Sequence, residues 1–134
     1  MSVLAQSLQE IFPPFIVLFL FLLKHFFADW FFQSSKMAAN KGTDWRWLSL
    51  HCAYHVVLSI PIVFALTSLK SGLLLIMMEF GVHYAIDWLK SRPSVQKAYP
   101  WPSHAFWVLI GLDQFFHQIW YGVMTLLLFH WCFQ

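Results

Sequence analysis

Four long apolar stretches alternate with short polar ones along this chain, and each carries acidic or histidine side chains at helical spacing. The stretches cover about residues 11–32, 45–69, 72–90 and 103–131. Each is close to the roughly 20 residues that a helix needs to cross a hydrocarbon core. Pro13 and Pro14 suit the opening turn of the first helix, where a missing backbone N–H costs nothing. Thr43 or Asp44 can cap the second helix and Ser103 the fourth, and Pro61 is expected to kink the second. The polar stretches 33–44 and 91–102 read as connections. The link near Lys70 and Ser71 is so short that the second and third helices should be antiparallel neighbours.

Inside the apolar stretches the ionisable residues fall four apart: His25 and Asp29, His51 and His55, Glu79 with His83 and Asp87, Asp113 and His117. Residues at i and i+4 share one helix face. Counted from the connections at about 1.5 Å per residue, the four faces lie at comparable depth, with Glu79 one turn deeper. The segment KHFFADW at 24–30 matches VHYAIDW at 82–88 in its His, Asp and Trp. Each is followed by a basic loop and a helix with an ionisable pair. The pattern predicts an all-α, integral membrane four-helix bundle, built as two tandem helical hairpins related by a pseudo-two-fold along the membrane normal. It is expected to form a single transmembrane domain over residues 1–134.

Composition sharpens this picture. Hydrophobic residues make up 60% and charged residues only 10%, where soluble domains carry about 25% charged. The net charge of +2 is too small and too scattered for nucleic-acid binding. Met1 to Glu10 has no Lys or Arg, so the first apolar run is expected to be retained rather than cleaved. Lys36, Lys41, Arg46, Lys90, Arg92 and Lys97 cluster at two connections, against Lys70 alone on the other side. The positive-inside rule then puts those connections in the cytoplasm and both termini outside. Trp30, Trp45, Trp47, Trp88 and Trp101 fit an interfacial belt at that boundary. Cys52 and Cys132 are too few for a disulfide framework and read as free thiols.

Imidazoles and carboxylates converging from facing helices suit a divalent ion, zinc first, with iron and manganese as alternatives. The metal ligands expected are His25, Asp29, His51, His55, His83, Asp87, Asp113 and His117. They exceed one tetrahedral shell, so the site is either dinuclear or mononuclear with carboxylates orienting the ligating imidazoles. Glu79 has no counterpart in the repeat and is the candidate general base. The competing reading is a polar network that only holds the helices together. His104 and His130 lie at helix ends and read as interfacial, and Gln114 is expected on a different face from Asp113.

KHFFADW with Gln33, NKG at 40–42, His51 and His55, HYAIDWLK at 83–90 and DQFFH at 113–117 resemble a family of small bacterial and phage inner-membrane proteins of unknown function. The resemblance spans about Leu22 to His117 and implies an integral location in the bacterial inner membrane, without implying an activity. A looser likeness, in residue types alone, is to membrane-bound metal-dependent hydrolases. The leading expectation is a metal-dependent hydrolase acting on a lipid or a membrane-proximal ester or phosphate. A divalent-metal transporter, a diiron-type redox enzyme and a structural or assembly protein are the alternatives. The expected partners are the lipid bilayer, a lipid substrate and further copies of the chain.

Overall fold

A computed structural model describes Ser7 and residues 13–132. Ile11, the expected start of the first helix, lies outside the described residues, as does the side chain of Cys132. The first helix, α1 (Pro14–Phe27), instead opens on Pro14, whose ring fixes φ and which has no N–H to leave unpaired. Its last turn widens into a π-helical turn over Ala28–Phe32, so the single regular helix expected to 32 is interrupted at Asp29. Gln33 Nε2 donates to the Asp29 carbonyl at 3.3 Å, satisfying a backbone group that the wide turn leaves free.

Both polar connections contain a short helix. Ser34 caps α2 (Ser35–Asn40) by accepting from Met37 N at 3.2 Å. Pro93 opens α5 (Pro93–Ala98). Of the two candidate caps, Asp44 starts α3 (Trp45–Leu66), accepting from Arg46 N at 2.9 Å. That helix ends at Leu66 rather than 69, because the Ser68 hydroxyl accepts from Ser71 N and starts α4 (Leu69–Ser91). Lys70 and Ser71 therefore lie in the first turn of α4, and the link is only Thr67 and Ser68. Gly72 keeps the two helices close beside this link, since a Cβ there would come within 2.5 Å of Phe64. Ser103 caps α6 (His104–Cys132), accepting from Phe106 N.

The four long helices close on one another, α1 packing on α3 and α6, and α4 packing on the same two. Their interior has two layers. One is apolar: Val17, Phe21, Val63, Leu66, Leu75, Trp120, Tyr121, Met124 and Leu128. The other holds nearly every ionisable residue of the apolar stretches, buried. Outward faces are apolar, with Phe15, Met77 and Leu126 each about 70% exposed. Three helical stretches are long and apolar enough to cross a membrane: Pro14–Phe32, Trp45–Leu66 and Leu69–Ala98. The fourth, α6, is long enough at 29 residues but falls short in apolarity, because Asp113, Gln114, His117 and Gln118 interrupt it.

Candidate metal centre

One face of each long helix points into the polar layer, as the i, i+4 spacing requires. His25 and Asp29 come from α1 and its π turn, His51 and His55 from α3, His83 and Asp87 from α4, and Asp113 and His117 from α6. The imidazoles touch across helices. Ring centroids of His83 lie 3.7 Å from His55 and 4.1 Å from His117, and His25 lies 5.0 Å from both His55 and His117. Six of the nine expected residues, His25, Asp29, His51, His55, His83 and Asp87, bring ligand atoms close together, while His117 packs its ring beside His83 and Asp113 lies at the margin against Lys90. Glu79, one turn deeper, pairs with Lys24 and accepts from Ser59 Oγ at 2.9 Å.

The nitrogen-to-oxygen distances are short while many directions are wrong for hydrogen bonds. His51 Nε2 lies 3.3 Å from Asp29 Oδ1 and 3.2 Å from Asp87 Oδ2, and His83 Nε2 lies 3.2 Å from the same Asp87 oxygen. Yet His51 Nε2, His83 Nε2 and Asp87 Oδ2 are buried without any hydrogen-bond partner, as are Asp113 Oδ1 and His117 Nε2. Buried polar atoms left unsatisfied in this way are uncommon and costly. Ligand atoms held about 2.0–2.1 Å from a tetrahedral zinc stand roughly 3.3 Å apart. The observed separations therefore match two corners of a shared coordination shell. Two sets of ligand atoms are close enough to share an ion: His25, Asp29, His55 and His83, and His51, His83 and Asp87.

Hydrogen bonds around the centre fix which ring nitrogens face inward. Gln114 Nε2 lies 3.4 Å from Asp29 Oδ2 and 3.0 Å from Asp113 Oδ2, so its amide nitrogen must face these two acceptors. Gln114 Oε1 is then left to accept from His25 Nε2 at 3.2 Å. His25 Nδ1 accordingly accepts from the Tyr121 hydroxyl at 3.1 Å, and the Tyr121 oxygen accepts from His55 Nδ1 at 3.4 Å. His55 Nε2 faces Asp29 Oδ1 at 3.2 Å, where either a proton on the imidazole or a metal ion between the two atoms holds the pair. His117 donates from Nδ1 to the Asp113 carbonyl at 2.8 Å, which leaves its Nε2 free to ligate. A backbone partner of this kind commonly orients a metal-binding imidazole.

Lysines hold the outer carboxylate oxygens. Lys41 Nζ is 2.7 Å from Asp87 Oδ1, and Lys90 Nζ is 2.7 Å from Asp113 Oδ2. Both had been counted as loop charges, but Lys41 is buried and Lys90 nearly so. Lys90 follows Asp87 by three residues, a spacing that marks the contact, and Tyr121 follows His117 by four. Lys41 carries no local signal, because its partner is 46 residues away. Gln114 turns out to reach into the cluster beside Asp113 rather than onto a separate face, bridging α6 to α1. His104 and His130 are exposed, as expected of residues outside the cluster.

The sequence model of the family described as "Protein of unknown function (DUF3307)" matches residues 17–132, and the chain belongs to that family. No curated protein and no solved structure matches it.

Proposed function

We propose that this member of the family is an integral membrane metalloprotein, a four-helix bundle that holds one or two divalent ions between two tandem hairpins. The observation that carries the reading is the buried, unpaired trio of His51 Nε2, His83 Nε2 and Asp87 Oδ2, each nitrogen 3.2 Å from that oxygen. In this reading Asp29, His51, His55, His83 and Asp87 are the inner ligands, and His117 and Asp113 complete the shell. His25, held between Gln114 and Tyr121, positions Asp29 and orients His55 through the shared hydroxyl. Lys41 and Lys90 fix the outer carboxylate oxygens and offset their charge. Glu79, engaged by Lys24 and Ser59, serves as the counter-ion of a buried lysine rather than as a general base. The His–Asp pairs of α1 and α4, 3.3 Å and 3.2 Å across, support the pseudo-two-fold.

The reaction class we favour is hydrolysis of a lipid or membrane-proximal ester or phosphate. A bound zinc, iron or manganese ion would supply Lewis acidity and an acidified water. Two features favour it over transport. The apolar layer from Val17 to Leu128 gives a passing ion few polar ligands. In this reading the basic connections face the cytoplasm of a bacterial inner membrane, which would put the cluster within reach of headgroups and both termini outside. A polar network serving only as glue would pair its own atoms, and this one leaves several unpaired. Elemental analysis of protein purified in detergent without chelator tests the reading. It should find about one or two ions of zinc, iron or manganese per chain, and protein free of all three would overturn it.

A further inference from the structure

Gly42 lies hard against the last residue of α4. A Cβ on Gly42 would overlap the Ser91 carbonyl oxygen and stand 2.7 Å from the Ser91 carbonyl carbon. Those atoms are backbone, so they cannot swing aside as the end of a long side chain can. The φ of Gly42 is not positive, so the turn itself would accept any L residue. Space alone keeps this position bare. The contact falls one helical turn, about 6 Å, beyond Asp87 on the same face of α4, and Ser91 Oγ donates to the Asp87 carbonyl. Neighbouring residues hold the turn in one shape. Asn40 Nδ2 donates to the Lys36 carbonyl at 2.8 Å, and the Asn40 carbonyl accepts from Thr43 N at 3.0 Å and Asp44 N at 2.9 Å. Lys41 N donates to the carbonyl of Met37 at 2.9 Å, and Met37 is itself buried.

We propose that Gly42 is a positioning residue of the metal centre. By letting the turn between α2 and α3 rest directly on the end of α4, it seats the Lys41 ammonium 2.7 Å from Asp87 Oδ1. Lys41 then occupies that oxygen, and Asp87 faces His51 Nε2 and His83 Nε2 with Oδ2 alone, each at 3.2 Å. A methyl group at position 42 would push the turn off Ser91 and draw the lysine away from Asp87. Ligation by Oδ2 rests on the metal reading above, and the seating of Lys41 does not.

A pocket of about 180 Å³ adjoins the turn, lined in part by Lys41, Gly42, Thr43, Asp44 and Tyr84. Lys41 is only 7% exposed, whereas Lys36 and Lys97 lie on the surface. A turn displaced from Ser91 would therefore open the Lys41 amine to a reagent in water.

Amine acetylation and metal affinity test the proposal on the whole chain in detergent. With a water-soluble acetylating ester and sites mapped by mass spectrometry, Lys41 of the parent should react about tenfold more slowly than Lys36 and Lys97. Gly42→Ala should speed acetylation of Lys41 about tenfold. Gly81→Ala, whose added Cβ meets nothing within 4 Å, should not change it. Inserting one glycine between Lys41 and Gly42 adds no side chain yet breaks the register of the contact. It should expose Lys41 equally, and it serves if Gly42→Ala does not fold. Zinc affinity, measured by competition with a chromogenic chelator, should fall about tenfold in Gly42→Ala and in Lys41→Met. The double variant should fall no further, because both changes act through one contact, whereas independent losses would add. The visible spectrum of the cobalt-loaded protein should shift alike in both single variants, as the second Asp87 oxygen becomes free to ligate. A Lys41 that stays protected in Gly42→Ala and in the insertion, or an additive double variant, would overturn the proposal. Metal bound with Lys41 still protected removes the role of Gly42 alone. Lys41 exposed as expected in protein that binds no metal removes the metal centre alone.

Discussion

The same four helices build two interiors. In one layer Phe21, Leu75, Met124 and Leu128 pack as any apolar core packs, fully buried and asking for nothing further. In the next layer His51, His83, Asp87 and His117 are equally buried but leave nitrogen and oxygen atoms without partners. Helix packing alone explains the first layer. The second is costly, because buried charges and orphaned donors destabilise unless something completes them. The contrast teaches where stability and function divide in this fold: the apolar layer sets the spacing, and the polar layer uses it.

Substitutions can break the contrast, beginning with the largest effects. Asp87→Ala removes a proposed ligand and strands Lys41. It should cost about 3–5 kcal/mol of unfolding free energy and abolish metal binding, read by thermal unfolding and elemental analysis. Lys24→Met alone should cost a similar amount by leaving Glu79 unpaired, whereas the double variant Lys24→Met, Glu79→Leu should come within about 1 kcal/mol of the parent. A double variant that keeps its metal would support the counter-ion role of Glu79, and one that loses only hydrolytic activity would return Glu79 to catalysis.

Leu75→Ala probes the other layer. It should cost about 2–4 kcal/mol and leave the metal content of the folded protein unchanged. Loss of metal without loss of stability would erase the distinction between layers. The finest probe is Tyr121→Phe, which removes only the hydroxyl shared by His25 and His55. Metal affinity should fall about 10–100-fold, with a stability change of about 1 kcal/mol, measured by competition with a chromogenic chelator.

Much of this arrangement is legible in the chain. The four apolar stretches, the Asp44 and Ser103 caps and the buried polar faces of the long helices follow from periodicity and depth, because i, i+4 spacing forces a shared face. Four features were not. The π turn at Ala28–Phe32 has no local marker in the sequence. The inward turn of Lys41 depends on a carboxylate from another helix, which no window of sequence contains. Gln114 was assigned to another face on ideal spacing, but a long side chain reaches past its own face to Asp29 and His25. The end of α3 was misplaced because Ser68, a cap three residues before Ser71, outweighed the apolar run around it.

X-ray absorption at the metal edge of the zinc-loaded protein tests the coordination claim most directly. The account predicts a shell of light nitrogen and oxygen ligands about 2.0–2.1 Å from zinc, with the outer scattering of imidazole rings. A sulfur ligand at about 2.3 Å, which Cys52 could supply, or a shell of water oxygens without imidazole would contradict it.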